Sequence, residues 1–581
     1  MQKKWLIRTS PNSEKITQLS NELKVQPIVA EMLLQRDIST FEEARLFFRP
    51  SLEDLHDPFL MKEMDLAVQR LKKAIDNKES ILIYGDYDVD GTTSVAMVYD
   101  YLSHYHNNIA YYIPDRYQEG YGLSEAGVRY ASESGVSLII TLDCGVKAVE
   151  KIALAKSLGV DVIVCDHHTP GEHLPDGIIL DPKREDCDYP YKELSGCGVG
   201  FKLLTAITTV QNWNQDLLFS YLDLLTISIA ADIVPITGEN RSFCQFGLQQ
   251  INTNPRLAIK KMLDFAKKPL PLTLTNLVFI IAPRINAAGR LGDAKNAVKL
   301  LLEKSSDKAE ELAKEIHDVN EERKGLDEAT TIEALDLLSE DSNHSNKVTN
   351  VVFKSGWHKG VIGIVASRII ETHYRPTVVL TQPSKGDLFT GSVRSIKGID
   401  VHEVLEECSS VLEQFGGHYF AAGLSLKEEN YNEFCQLFEE AVQERITDEM
   451  LIPEQKLERK LNFDEIYTIG EPLYELPRLK RVLQQFEPHG PGNMKPVFLS
   501  ENVYGKTPRL LKEKHVKLTL IQPNNRVELD AIIFNRPEVY DLVKENQPLD
   551  IVYTLEVNEW QGRKKLQLNV KDIRQTEILV S

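Results

Sequence analysis

The sequence lacks the features of a secreted, membrane-spanning or disulfide-bonded protein. Its first residues, MQKKWLIRTSPNSEK, contain no apolar core of the ~7–15 residues that a secretory signal needs. No run approaches the ~18 apolar residues of a membrane span. The seven cysteines are scattered and form no CxxC pair. We therefore expect a cytoplasmic protein with reduced thiols and no membrane association.

Basic residues are also outnumbered. The chain has 67 lysines and arginines against 86 acidic residues, which gives a formal net charge of -19. This balance argues against a generally basic nucleic-acid coat, but it leaves room for a locally basic groove. We find no repeat at solenoid periods and no low-complexity tail. The length of 581 residues is too great for one core and suggests about four domains.

Strands and helices alternate between about residues 60 and 235. Short apolar runs at 80–84, 109–113, 138–142, 161–165 and 178–180 are separated by helical segments. This alternation predicts an α/β fold, a parallel sheet with helices on both faces. The runs are almost continuously apolar, as expected for strands that are buried on both faces.

The rest of the chain divides into four further regions. Residues 1–50 predict two or three small helices, which we interpret as an appendage, and residues 250–345 are mainly helical. Within the helical region, 283–290 is rich in Gly, Pro and Arg and predicts an irregular insert; a long charged helix follows it. Residues 350–445 predict a second, smaller α/β unit. Short alternating segments over 455–575 predict a small β-barrel.

Acidic and imidazole side chains follow three of the predicted strands in the first α/β region. These residues are Asp86, Asp88, Asp90, Asp143, Asp166, His167 and His168. Ligands of parallel sheets bind beyond the carboxyl ends of the strands, so we expect these side chains to meet. A further acid, Asp232, lies in an otherwise apolar segment after a helix.

Acids at alternate positions repel one another unless cations neutralise them. Hard divalent ions prefer carboxylate oxygens, and an imidazole favours Mn²⁺ as well as Mg²⁺. Two such ions ~3.5–4 Å apart can activate water and stabilise the leaving oxygen of a phosphodiester. We therefore predict a two-metal phosphoesterase site whose ligands are Asp86, Asp88, Asp90, Asp143, His167 and Asp232.

Four of these strand-end residues are predicted to be catalytic. Asp143 would bridge the ions, and His167 with Asp232 would complete the second one. His168 would contact phosphate or protonate the leaving group, with Asp166 beside it. Taken alone, residues 85–91 also fit a Ca²⁺ loop or an acidic turn, and residues 166–168 fit a surface turn.

Basic and glycine-rich segments supply candidates for phosphate binding. The predicted substrate-binding residues are Arg284, Asn286, Arg290, Arg394, Ser395, Gly417 and His418. Arginine binds phosphate bidentately, and glycine permits close backbone approach. In the barrel region, the predicted single-strand groove consists of Tyr504, Lys506, Arg509, Lys512, Lys514 and Lys517. The alternatives are exposed loop arginines, simple turns and a solvated basic face.

Taken in order, these motifs resemble those of the DHH phosphoesterases and, within them, the RecJ single-strand DNA exonucleases. The matching motifs are Tyr84–Gly91, Gly120–Ser124, Asp143, Asp166–His168, Gly196–Gly200, Ala230–Pro235, Pro283–Arg290, Trp357–Gly363, Arg394–Ser395 and Phe415–His418. The resemblance covers roughly residues 20–430, and Pro488–Asn493 extends it towards the barrel.

The resemblance implies 5′-to-3′ degradation of single-stranded DNA to mononucleotides in recombination and repair, with two Mn²⁺ or Mg²⁺ ions per site. It implies that Asp88, Asp90, Asp143, His167 and Asp232 bind metal, with Asp86 as a further candidate. It also implies a helicase and a single-strand-binding protein as partners. The predicted domains are an N-terminal helical segment (1–55), a DHH catalytic domain (56–265), a phosphate-contacting loop and helical connector (266–345), a DHHA1-type domain (346–448) and an OB-fold (449–581).

One departure from the superfamily bears on the substrate. Its small-molecule members carry a histidine where this chain has Tyr84. This difference argues against the first alternative, an oligoribonuclease or a cyclic-dinucleotide phosphodiesterase. The second alternative is a non-catalytic DNA-binding replication subunit, a class that loses its acids, whereas the expected ligands are all present here.

Overall fold

The computed structural model describes residues 3–576, apart from 383–387, 469 and 524. Within these ranges the strands form a parallel sheet, a mixed sheet, a closed barrel and a two-stranded ribbon. None of the helices found there combines the length and the apolar character needed to cross a bilayer.

The N-terminal region packs on the C-terminal barrel and is not an independent appendage. Its elements are the strand Lys4–Ile7, the helices Ser13–Leu23, Pro27–Leu34 and Phe41–Phe48, and two short 3-10 turns, Leu52–Asp54 and Pro58–Leu60. The three helices confirm the prediction, but the strand was missed. It pairs in parallel with Glu454–Leu457, and the helices share one apolar core with the barrel. Pairing over such a distance along the chain leaves no local signal.

The first sheet is five-stranded and entirely parallel, as predicted. Its strands, in spatial order, are Ile109–Tyr112, Ile81–Gly85, Leu138–Leu142, Asp161–Cys165 and Ile178–Leu180. The helices that pack with it are Met64–Asp76, Val89–Ser103, Glu125–Glu133, Val149–Ser157 and Gly196–Gln211. Apolar clusters cover both faces, which explains the uninterrupted apolar strands.

Helices occupy the region between the two sheets. They are Gln215–Phe219, Leu222–Ala231, Gly238–Thr253, Leu257–Ala266, Leu274–Asn276, a π-helical turn Leu277–Ile281, Ala282–Leu291, Lys295–Leu302 and Ser306–Glu340. The irregular insert predicted at 283–290 is wrong, because these residues are helical. Pro283 lies at the start of this α-helix, directly after the π-helical turn. The long charged helix is confirmed and has 35 residues.

The second sheet carries the other phosphate-binding candidates. Its strands, in spatial order, are Gln414–His418, Ala421–Lys427, Leu388–Arg394, Thr377–Thr381 and Asn350–Phe353, and its helices are Ile362–Thr372, Val401–Glu407 and Tyr431–Gln443. The alternative of simple turns at Arg394 and Gly417 is wrong. Arg394 ends a strand, and Gly417 pairs with Ala422 inside a hairpin.

The predicted barrel is present and closes on itself. Its strands are Phe498–Leu511, His515–Ile521, Glu528–Ile533, Leu549–Trp560 and Arg563–Gln575. Phe498–Leu511 pairs with both His515–Ile521 and Leu549–Trp560, which closes the sheet. The accompanying elements are the strand Arg459–Lys460 and the helices Phe463–Ile466, Arg478–Gln484 and Val539–Lys544.

Candidate metal centre

The predicted strand-end residues converge at one edge of the parallel sheet. Asp143 and His167 each follow a strand end. Asp88 caps the helix Val89–Ser103 by accepting a hydrogen bond from the N–H of Gly91, at 3.0 Å. Asp232 is the C-cap of the helix Leu222–Ala231. Two strands and two helix ends thus deliver side chains to the same place.

His167 lies at the middle of this group. Its Nε2 is 3.2 Å from Asp143 Oδ1, 3.5 Å from Asp232 Oδ2 and 3.8 Å from Asp90 Oδ2. Two triads have ligand atoms within 4.8 Å of one another: Asp143, His167 and His168, and Asp90, His167 and Asp232. His167 belongs to both, so the two triads lie side by side; its neutral imidazole would hold one ion, and carboxylates would hold the other.

Several of these atoms are buried and find no hydrogen-bond partner in the described ranges of the chain. They are Asp86 Oδ2, Asp143 Oδ1 and both ring nitrogens of His167. Leaving one buried polar atom unsatisfied costs about 1–3 kcal/mol. Carboxylate oxygens and an imidazole nitrogen are the donor set that Mn²⁺ and Mg²⁺ accept. The orphaned atoms therefore fit the divalent ions that the sequence predicts.

Burial and mutual repulsion disfavour the charged carboxylates. Burial, followed by the charges of Asp90 and Asp88, holds the pKa of Asp143 well above its ordinary value. The pKa of Asp86 is raised in the same way, by burial and then by Asp88. Burial lowers the pKa of His167. Bound cations would lower the pKa of the carboxylates again, because they favour the ionised carboxylates and the neutral imidazole.

The backbone is strained around two of the acids. Asp143 has a φ of 59°, and Ile233, directly after Asp232, has a φ of 60°. Left-handed backbone is unfavourable for a β-branched residue, and such strain clusters at functional sites. Close packing is also required: a Cβ on Gly196 would lie 2.6 Å from Asp143 Cβ.

Asp166 orients its neighbours and holds His168, a member of one triad. Its carboxylate accepts hydrogen bonds from the N–H of Val146 at 2.9 Å and of His167 at 2.7 Å, and its Oδ1 lies 2.7 Å from His168 Nδ1. Burial raises the pKa of Asp166, but the contact with His168, the N–H of Val146 and the charge of His167 together outweigh burial and lower the pKa to about 2. Asp166 therefore acts through His168, whose other ring nitrogen lies 3.0 Å from the Tyr121 hydroxyl.

Sequence reasoning missed two groups beside the centre. Tyr121 is one, although it lies within a motif that the resemblance includes. Asp181 is the other. It follows the strand Ile178–Leu180, so the strand-end rule could have found it. Burial raises the pKa of Asp181 to about 7.

A cavity of about 1020 Å³ separates the metal centre from the second sheet. Asp88 and His168 line one side of it, Gly417 and His418 line the other, and Lys147 also contributes. The structure thus brings two of the predicted substrate-binding residues opposite the metal centre.

An arginine cluster lies between the two α/β units. Burial, followed by the charges of Arg116 and Arg394, lowers the pKa of Arg290 to about 10. Arg290 donates to Gly360 O at 3.1 Å, which links the helical region to the second sheet. Mutual repulsion of buried guanidinium groups is relieved by an anion, so these residues suit a phosphate. Arg116 has no signal in the sequence, because it lies in a loop.

Two other substrate-binding candidates are held by carbonyl oxygens of their own segments. Arg284 is buried and donates to Ile280 O at 2.6 Å in its own helical region, with its other nitrogen 3.3 Å from His317 Nδ1. Ser395 donates to Ile399 O at 2.6 Å. Asn286 is half-buried on the same helix as Arg290.

The basic candidates of the barrel lie on one long hairpin. Tyr504, Lys506 and Arg509 belong to its first strand and Lys517 to its second, with Lys512 and Lys514 at the connection. Lys506 is neutralised by Glu528 at 2.7 Å. A DNA groove on this hairpin remains a prediction.

Comparison with known families assigns all three folded units. The DHH family, N-terminal domain, matches residues 80–229; the DHHA1 domain matches residues 345–444; and the RecJ OB domain matches residues 476–572. These matches define a DHH-type phosphoesterase with an appended OB barrel.

Individual relatives match nearly the whole chain. The single-stranded-DNA-specific exonuclease RecJ of Bacillus subtilis is 38% identical over 99% of this chain and 71% of its own length. The Escherichia coli protein of the same name is 34% identical over 88% of this chain and 90% of its own. The crystal structure of RecJ from Thermus thermophilus in complex with Mn²⁺ superposes with a TM-score of 0.83 at 28% identity, covering 99% of this chain and 80% of that one. The chain belongs to the RecJ family.

Proposed function

We propose that this chain degrades single-stranded DNA from its 5′ end to mononucleotides by two-metal hydrolysis. It is a hydrolytic nuclease of a family whose named members are single-stranded-DNA-specific exonucleases, and its role is in DNA recombination and repair. The observation that carries the mechanism is the pair of triads sharing His167. Relatives of 30–38% identity favour this function over the oligoribonuclease, dinucleotide phosphodiesterase and non-catalytic alternatives.

Mn²⁺ or Mg²⁺ is the metal that the donor set fits, and crystal structures of RecJ from Thermus thermophilus contain one or the other. Bound at this centre, the ions would lower the pKa of water and stabilise the charge on the leaving oxygen. Asp90 and Asp232 would hold one ion with His167, and Asp143 would hold the other. Asp86 and Asp88 add negative charge to the same pocket.

The surrounding side chains would position the substrate. Asp166 holds Nδ1 of His168, which lines the cavity, and the other ring nitrogen, Nε2, would contact phosphate or deliver a proton. Arg290 and Arg394, with Arg116, would bind a second phosphate of the strand. His418 would close the cavity from the other sheet.

The experiment that distinguishes these functions tests one set of substrates with each of two metal ions. Single- and double-stranded DNA, an RNA oligomer and a cyclic dinucleotide, labelled at either end, are incubated with Mn²⁺ or Mg²⁺. We expect mononucleotide release from the 5′-labelled end of single-stranded DNA alone. Release from the 3′ end would overturn the polarity, and faster turnover of the cyclic dinucleotide would overturn the substrate.

Partner proteins form a separate part of the proposal. A nuclease restricted to single strands needs them to be exposed, so we expect a helicase and a single-strand-binding protein to act with it. A pull-down from a cell extract treated with nuclease, so that DNA does not bridge the proteins, would test this expectation. Loss of both proteins after nuclease treatment would contradict it.

A further inference from the structure

The segment Pro488–Asn493 joins the barrel to the nuclease core, and the proposed chemistry leaves it without a role. It follows the helix Arg478–Gln484 and leads into Phe498–Leu511, the barrel strand that closes the sheet. Its own turn is fixed by paired backbone hydrogen bonds between Gly490 and Asn493. The side chain of Asn493 donates to Phe486 O at 2.7 Å and to Pro488 O at 3.0 Å. The segment is therefore rigid.

This segment docks on the residues that directly follow Asp232. The N–H of Ile236 donates to Pro491 O at 2.7 Å. A Cβ added to Gly490 would lie only 2.4 Å from Ile236 Cγ1, so the Gly490 backbone packs directly against the Ile236 side chain. Ile236 itself is 1% exposed. The contact lies four residues beyond a predicted metal ligand.

A second contact anchors the same stretch one helical turn later. Arg241 is buried, and its guanidinium donates to five main-chain carbonyl oxygens. They belong to Phe47, Gln485, Phe486, Glu487 and Pro488, at 2.9 to 3.3 Å. The arginine therefore ties the start of Gly238–Thr253 to the N-terminal region and to the chain entering Pro488–Asn493.

Between Asp232 and these anchors lies the strained residue Ile233. A β-branched residue at a φ of 60° persists only where its surroundings fix it. Its own side chain is 64% exposed, so its packing does not hold it. Instead Tyr191 and Asn240 donate to Pro235 O, at 3.1 and 3.0 Å, and Ile236 is held by Pro491.

We propose that Pro488–Asn493 with Ile236 and Arg241, which we call the barrel joint, is a positioning element of the metal centre. It fixes the strained turn at Ile233 and therefore the direction of the Asp232 carboxylate. The barrel is thus connected rigidly to one of the metal ligands. The inference rests on the proposed function in one respect, the assignment of Asp232 as a ligand. The joint touches neither metal nor DNA in this role.

The test uses Gly490→Ala in the full chain, with Mn²⁺ alone as the probe. The added methyl must push Ile236 away, and loss of such outer positioning typically weakens metal binding by about 10–100-fold. Calorimetric titration should find one of two Mn²⁺ ions weakened by that factor and the other unchanged. The Mn²⁺ concentration for half-maximal hydrolysis should shift equally, with the maximal rate within about twofold of wild type.

Two matched variants separate positioning from general damage. Gly325→Ala is the control, since nothing lies within 4 Å of its added Cβ, and it should bind Mn²⁺ as wild type does. The double variant Gly490→Ala with Ile236→Ala removes the Cγ atom that the methyl strikes, so it should recover most of the lost affinity. If Gly490→Ala does not fold, Asn493→Ala carries the test, because it loosens the joint without adding an atom.

The outcomes distinguish the two proposals. If Asp232→Asn leaves both Mn²⁺ ions bound as in wild type, the ligand assignment in the proposed function fails. If Asp232→Asn weakens one ion while folded Gly490→Ala, or folded Asn493→Ala in its place, binds as wild type does, the joint is not a positioning element and the metal centre stands.

Discussion

The metal centre and the barrel joint both bury charged side chains, but only at the joint do these side chains have their hydrogen-bond partners. At the centre, Asp143 Oδ1 and His167 Nε2 have no hydrogen-bond partner among the residues that the structure describes. At the joint, the Arg241 guanidinium, with 3% of the residue exposed, donates to five carbonyl oxygens, and within the described part of the chain it faces no carboxylate in an ion pair. The first arrangement is incomplete without a cation, whereas the second is complete as it stands.

This difference separates a site from a structural connection. Buried like charges lower the free energy of unfolding, and a bound cation raises it again. A buried charge with every donor satisfied contributes to stability directly, and its loss leaves several acceptors unpaired. The two regions should therefore respond in opposite directions when their charged residue is removed.

The largest expected effect is on catalysis at the metal centre. Asp143→Ala and His167→Ala should each lower the rate of hydrolysis by about a hundred- to a thousandfold, since each removes electrostatic stabilisation at the reacting phosphate. Single-turnover cleavage of labelled DNA with Mn²⁺ measures the rate. Binding of single-stranded DNA, followed by fluorescence anisotropy, should survive. Asp264→Ala, at an exposed helical position, is the control, and wild-type rates in the two centre variants would refute the site assignment.

The next effect is on stability at the joint. Arg241→Met should lower the free energy of unfolding by about 3 kcal/mol or more, because buried carbonyl oxygens lose their donors. Without metal, Asp143→Ala should instead leave stability unchanged or raise it, because it removes a buried repelling charge. Urea unfolding compares both with Arg49→Met, an exposed arginine. Equal destabilisation by Arg241→Met and Arg49→Met would show that the hydrogen bonds of Arg241 do not stabilise the joint.

Metal binding should complete the centre and stabilise the fold. At a hundredfold excess over its dissociation constant, Mn²⁺ should add about 2.7 kcal/mol to the free energy of unfolding. The gain should disappear in His167→Ala, which removes the residue common to both triads. Unfolding with and without Mn²⁺ measures it. A gain that persists in His167→Ala would place the ion elsewhere.

The smallest expected effect is a pH dependence at the joint. Burial, followed by the charge of Lys495, lowers the pKa of His489 to about 4. The unfolded chain takes up this proton near pH ~6.5, so the contribution of His489 is present above that pH and is lost as the pH falls towards 4. Between pH 7.5 and 4.5, wild type should lose about 2 kcal/mol more than His489→Gln. Parallel pH profiles of unfolding would contradict this.

The strand ends were predictable, and the reason is local. Apolar runs followed by Asp143 and by Asp166–His168 identify where parallel strands stop, and such ends meet at one edge of a sheet. The same rule applies to Asp181, which follows the strand Ile178–Leu180. The helix Ala282–Leu291 differs from the irregular insert predicted at 283–290, because tertiary packing overrides the local preferences of Gly and Pro.

Contacts distant along the chain had no such signal. Arg116 affects the pKa of Arg290 only because two units fold against each other. In the sequence, Arg241 is one more arginine of a helix, and only the structure shows its carbonyl acceptors. The same is true of Lys4–Ile7, whose partner strand lies at the far end of the chain.

The sequence by itself determined the class of chemistry, because the identity and spacing of acids and imidazoles at strand ends follow from local periodicity. It also determined the order of the α/β units and the barrel. Only the tertiary structure decided which acids lack partners, which arginines face one another across the cleft, and how the barrel attaches beside Asp232. Burial and the completeness of hydrogen bonding depend on residues that pack around a side chain. These residues are often distant along the chain, so a local stretch of sequence does not show them.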